Sequence, residues 1–200
     1  MNQKFFQSPP TQETEESKLE KNIRVIENLK CSLEGRVGMI LVLLGLRPAT
    51  SLDIFINDEN LESVKQKLKE ANLFFDDITK PPFENKEMVA SLIVAKEQSN
   101  ASVAAFLFKD LNKNQKEIAL YMGHPETSAG AFVGAKKKIG DEEKFKIFKD
   151  HNISQSVAGF VLSHDNWQEE IKTAENWCEV LKLKAPELYK KVMDTEKIEQ

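Results

Sequence analysis

The chain is poor in the residues that usually mark chemistry. Its 200 residues include two cysteines, three histidines, two tryptophans and eight glycines. Cys31 and Cys178, with no CxxC spacing, exclude a disulfide framework and a thiolate zinc site. The scattered glycines form no GxGxxG, GxxxxGK[ST] or GxSxG motif, so neither a nucleotide loop nor a nucleophile elbow is legible. Gly35-Arg36-Val37-Gly38 comes nearest to a phosphate loop, but it lies inside a helical pattern. There is no excess of one charge either. The balance of 28 basic against 32 acidic residues argues against nucleic acid as a partner.

Long apolar runs are also missing. The longest, Met39 to Leu44, ends at Gly45 and is bracketed by Arg36 and Arg47. A membrane span needs about 20 apolar residues, so this run reads as a buried helix. Residues 1–18 hold a single apolar pair, Phe5-Phe6, too little for the core of a secretory signal. These absences predict a cytoplasmic protein with no membrane segment, and no cofactor is indicated.

What is present is enough apolar material for one core. Hydrophobic residues make up 40% of the chain and charged residues 30%, of both signs, which fits a globular protein rather than a disordered one. Residues 1–14, with Pro9-Pro10, read as a disordered tail, leaving residues 15–200 as a single α+β domain. A helix starts after Thr14, with Glu15-Glu16 in its first turn and Leu19, Ile23 and Ile26 on one face. Leu33, Val37, Ile40 and Leu44 continue the period to Gly45 and Pro48, either as a second helix or as one long helix with the first.

Between residues 50 and 96 the period shortens. Leu52, Ile54 and Ile56 alternate with Ser51, Asp53 and Phe55 as a strand, and Asn57-Asp58 turns the chain. Leu61, Val64 and Leu68 mark an amphipathic helix, Leu73 to Ile78 a short strand, and Met88 to Ala95 a third strand beyond the loop opened by Pro81-Pro82. The expectation is a small three-stranded sheet packed by the N-terminal helices and by a mostly helical C-terminal half. There Val103, Phe106 and Leu107 form an apolar face, and Ile118, Leu120 and Tyr121 belong to a helix stopping at Gly123. Residues 136–152 are polar and read as a loop with one short helix. Trp167, Ile171, Ala174, Cys178 and Leu181 define a C-terminal helix with Ser163 or Asp165 as its N-cap. Pro186 then breaks or restarts it, and Leu188, Tyr189 and Val192 make a last short amphipathic turn.

The segment Gly123-His124-Pro125-Glu126-Thr127-Ser128 carries the most chemistry. A helix start presents free N–H groups, and the Thr127 and Ser128 hydroxyls add donors for a phosphate or carboxylate. Alternatively, Gly-His-Pro is only helix punctuation, with Ala129, Phe132 and Val133 packed below it. His124, His151 and His164 have no metal-ligand spacing, so no metal site is predicted. His164 and Asp165 diverge if they open a helix. Cys178, on the apolar seam, reads as core, and Cys31 as exposed. The lysines at 136–138 alternate with acids downstream and read as solvated surface.

Two segments, LYMGHPETSAGAFVG (120–134) and FVLSHDNWQEEIKTAENWCEVLK (160–182), resemble small uncharacterised prokaryotic proteins with a Leu-Gly-Tyr-Pro-x-x-x-x-x-Phe segment followed by a helix. Here His124 stands where that pattern has tyrosine. The resemblance covers about a fifth of the chain. It implies no activity, only that 120–182 behaves as a unit with Gly-Pro at a helix start.

Two functions follow as expectations. One is a non-catalytic binding or protein-interaction module, meeting a protein partner or a second copy through its amphipathic helices. The other is an enzyme or sensor for a small anion held at His124, Thr127 and Ser128, with His164 as an acid–base group.

Overall fold

The structure is a computed structural model that describes residues 14–55, 58–78 and 89–198. The tail expected over residues 1–14 lies outside them but for Thr14. So do Ile56, the turn at Asn57, the Pro81-Pro82 loop and Met88.

The N-terminal helices are α1 (Glu15–Glu27) and α2 (Leu33–Leu43), followed by β1 (Ala49–Phe55), α3 (Asp58–Glu70), β2 (Phe74–Asp77) and β3 (Val89–Ala95). The rest is helical: α4 (Gln98–Phe108), α5 (Gln115–Tyr121), α6 (Glu126–Phe132), α7 (Asp141–Asp150), α8 (Gln155–Ala158), α9 (Trp167–Lys184) and α10 (Pro186–Ile198). The fold is α+β, and the sheet is antiparallel throughout with strand order β1-β3-β2. Among the described residues, no helix is long and apolar enough to cross a membrane.

Local capping separates α1 from α2. The Thr14 hydroxyl accepts from the Ser17 N–H at 3.2 Å, and the Ser32 hydroxyl accepts from the Gly35 N–H at 3.1 Å. Each satisfies a donor that the first turn leaves unpaired, and the second starts a new helix where the hydrophobic period alone allowed one long one. Gly45, at φ +72°, ends α2 in the left-handed region that favours glycine.

Helix α2 is buried on every side from Val37 to Leu43. It packs on β1 and touches α1, α8, α9 and α10. Its contact with β1 needs glycine at two places. A Cβ at Gly38 would run into the Thr50 side chain, and one at Gly35 would lie 2.6 Å from Leu52 Cδ1. The Gly-x-x-Gly spacing puts both glycines on one side of the helix, where the strand backbone comes close. The near-miss for a phosphate loop is therefore a packing face.

The sheet is covered on both faces. Leu52, Ile54, Ala90, Leu92 and Val94 join the main core with α2 and α3. Ala49, Ile93 and Ala95 form a smaller cluster with Ala101, Ala104 and Ala105 of α4. The register pairs like with like, Leu52 opposite Leu92 and Ala49 opposite Ala95.

Three expectations about the helical half are corrected. Helix α4 faces the sheet with its alanines, leaving Val103 42% and Phe106 66% exposed. Small side chains let the helix sit close to the strands, which turns the bulky residues outward. Phe132 and Val133 of the α6 region are likewise exposed rather than packed below the helix start. After Pro186 the chain makes a 13-residue helix with Leu188 and Val192 buried, not a short turn.

Because a Cβ at Gly38 would meet the Thr50 side chain, Gly38→Ala lowers the unfolding free energy by about 1–3 kcal/mol through overpacking. Thr50→Ala in the same chain restores part of the loss. Denaturant titration of the single and double variants checks this, and a neutral Gly38→Ala would place the helix farther from the strand.

Candidate functional site

The predicted segment is built by the end of α5 and the start of α6. Gly123, at φ +81°, closes α5, and the His124 N–H reaches back to the Ala119 carbonyl at 3.0 Å. A Cβ at Gly123 would lie 2.7 Å from Arg47 Cγ, so glycine is needed for conformation and for room. Pro125 is the N-cap of α6 and offers no side-chain acceptor. Glu126 follows in the first turn, 3.6 Å from Lys116.

Both hydroxyls of the segment donate inward. Ser128 Oγ bonds the Val161 carbonyl at 2.7 Å and is fully buried. Thr127 Oγ1 bonds Glu170 Oε1 at 2.6 Å. Glu170 itself is 1% exposed and also accepts from the Ser163 N–H at 2.7 Å and the Ser163 hydroxyl at 2.6 Å. Three neutral donors thus hold a buried carboxylate, which removal from water would otherwise make costly. This network joins α6, the 160–164 segment and α9. Residues 120–134 and 160–182 are therefore tied to each other.

His124 lies against Phe160, with ring centroids 5.7 Å apart, and Phe160 meets Trp177 edge-on at 5.7 Å. Arg47 completes this cluster. Its guanidinium lies over the Trp177 ring at 4.1 Å and donates from Nη2 to the Val157 carbonyl at 2.6 Å. Its Nε is buried without a partner. Burial lowers the Arg47 pKa to about 10. Burial and then the Arg47 charge push the His124 imidazole down to about 4, so the ring is neutral at pH 7.

His164 stands apart from this packing. It is exposed, its N–H bonds the Lys137 carbonyl at 2.8 Å, and its Nδ1 lies 2.8 Å from Asp165 Oδ1. The pair was expected to diverge, but α9 begins later, at Trp167 after Asn166, so His164 and Asp165 meet in a turn. For the same reason neither Ser163 nor Asp165 is the N-cap. Ser163 bridges to Lys138 and bonds Glu170 instead. The structure thus brings His124 and Ser128 onto the 160–163 segment, ties Thr127 to Glu170 of α9, and leaves His164 at the segment's outer end.

Of the thiols, Cys178 is buried, as the seam predicts. Cys31 is half-buried rather than exposed, and burial pushes its thiol up to about 11, with Arg36 offsetting only part of that rise. It is a thiol, not a thiolate, at neutral pH. Among the described residues, no group of three or more His, Cys, Asp or Glu is placed to hold a metal ion.

Sequence reasoning missed Arg47 and Glu170. Glu170 had a signal, because it is in register with Ala174, Trp177 and Leu181 on the buried face of α9. Arg47 had none, since it lies in a short connection outside any period. Surface features were missed too. Val103, Phe106, Leu111, Leu120, Phe132 and Val133 are all exposed, and all fall within residues 103–133. The helices of this stretch pack on one another in turn, α4 on α5 and α5 on α6.

No family model, curated protein or solved structure matches this chain.

Two outcomes test the site. Replacing Glu170 with Leu strands a buried N–H and two hydroxyls, and should cost about 2–5 kcal/mol in denaturant unfolding, against less for Glu170→Gln. His124 gives a pH signature. Its folded pKa lies below the unfolded value, so the unfolded chain binds the extra proton first. Stability is then full above about pH 6.5, falls as pH drops toward 4, and levels off below. His124→Asn should flatten that limb relative to the parent, and an unchanged slope would mean that the ring is not shielded.

Proposed function

We propose that this protein is a non-catalytic interaction module that meets a second copy of itself through the surface of residues 103–133. The observation that carries this reading is that six of the nine large exposed apolar side chains among the described residues fall there, Phe106 at 66% and Phe132 at 53% among them, while Phe74, Phe145 and Leu183 stand singly elsewhere. Monomeric proteins scatter such residues singly, and a grouping of them on adjoining helices marks a contact surface. A second copy fits because the charges interleaved with these residues have both signs. Lys109, Lys113 and Lys116 alternate with Asp110, Glu117 and Glu126, so two such surfaces need not repel each other.

The chemistry of the predicted segment supports the same reading. Thr127 and Ser128 donate to acceptors within the fold, and His124 is neutral and packed on an aromatic ring. These groups act as mortar between α6 and α9.

The test is sedimentation velocity and light scattering over a range of concentrations, for the full chain and for Phe106→Ser/Phe132→Ser. The parent should associate reversibly, and the double variant should remain monomeric with an unchanged circular dichroism spectrum. A parent that is strictly monomeric at every concentration would overturn the proposal.

A further inference from the structure

A cleft of about 510 Å3 lies where the first turns of α1 meet the C-terminal ends of α2, α3 and α9. Its wall includes Asn22 of α1. Asn22 is in register with the apolar face of that helix and is only 8% exposed, yet its amide has no hydrogen-bond partner among the described residues. Most side chains with a polar amide this little exposed are paired within the fold. Here the unpaired amide opens into a cleft.

Two cations share the same wall. Lys18, one turn before Asn22, and Lys96, just after β3, both line the cleft and have no carboxylate partner among the described residues. A third, Lys184, is taken up by Glu16 at 3.8 Å, and Glu15 at the rim leaves the lining net positive. Leu19, Leu43 and Leu44 supply an apolar surface beside these groups. Polar groups that converge on an apolar floor, in a cleft of this size, have the form of a small-molecule site.

We propose that this cleft binds a small organic carboxylate with an apolar body. The carboxylate lies between Lys18 and Lys96, the body rests on Leu19, Leu43 and Leu44, and the Asn22 amide donates to the ligand. Charge selects an anion, and the leucines select one with a hydrocarbon part over a bare ion. The site is separate from the surface of residues 103–133 and does not depend on self-association.

The probes are hexanoate, inorganic phosphate and hexanol, titrated into the full-length protein while the Asn22 side-chain amide is followed by 15N NMR. Hexanoate should shift that resonance saturably, whereas phosphate and hexanol should bind at least about tenfold more weakly. Lys18→Gln/Lys96→Gln, at exposed positions, should weaken hexanoate by a similar factor with an unchanged melting temperature. Asn22→Leu should lose hexanoate without lowering the melting temperature, and undiminished binding in this variant would also overturn the proposal. No shift with hexanoate, equal binding of phosphate or hexanol, or undiminished binding in the double lysine variant would each overturn the proposal.

Discussion

The arrangement depends on how closely α2 approaches β1. Gly35 and Gly38 remove the side chains that would hold the helix off the strand, and Thr50 and Leu52 fill the space. A helix that close is shielded from water on its sheet side, and α1, α8, α9 and α10 shield the remainder. This explains why α2 can be apolar around its circumference. Its five consecutive buried residues, Met39 to Leu43, each contribute on the order of 1.5–3 kcal/mol relative to exposure.

Two charged side chains, one half-buried and one buried, then fix what surrounds that centre. Arg47 leaves α2's end and ties it to α8 through Val157 and to α9 through Trp177. Glu170 ties α9 to α6 and to the 160–164 segment. Neither is paired with an opposite charge among the described residues. The carboxylate is held by neutral donors, and the guanidinium by a carbonyl and a ring face, so each position is specified by directional bonds.

Much of this layout is legible in the sequence, for identifiable reasons. The three strands are legible because alternation or a short apolar run marks them. Helix α2 is legible as an unbroken apolar run, but its separation from α1 is not, because that depends on the Ser32 cap, and Thr14 and Gly45 mark ends by their cap chemistry. Helix α4 is misread because hydrophobicity is taken to mean burial, whereas a close helix–sheet contact selects alanine over Val103 and Phe106. At the candidate site, sequence identifies Thr127 and Ser128 as donors but not their acceptors, since Glu170 and Val161 lie far along the chain. Phe148 is fully buried inside a stretch that reads as polar, because a single anchor leaves no period.

The alanine lining of α4 has a further consequence for cohesion. The core on the α2 face is built mainly of leucine, isoleucine and valine, whereas the fully buried part of the cluster on the α4 face is alanine apart from Ile93, with Ile78, Phe108, Tyr121 and Met122 only partly buried around it. A methyl-sized group contributes on the order of 0.8 kcal/mol on burial, well below a leucine. The sheet is therefore held unequally, firmly from one side and lightly from the other. The lightly held layer carries the exposed Phe106 of α4, so apolar surface is presented there by a helix whose own fully buried contacts with the sheet are small.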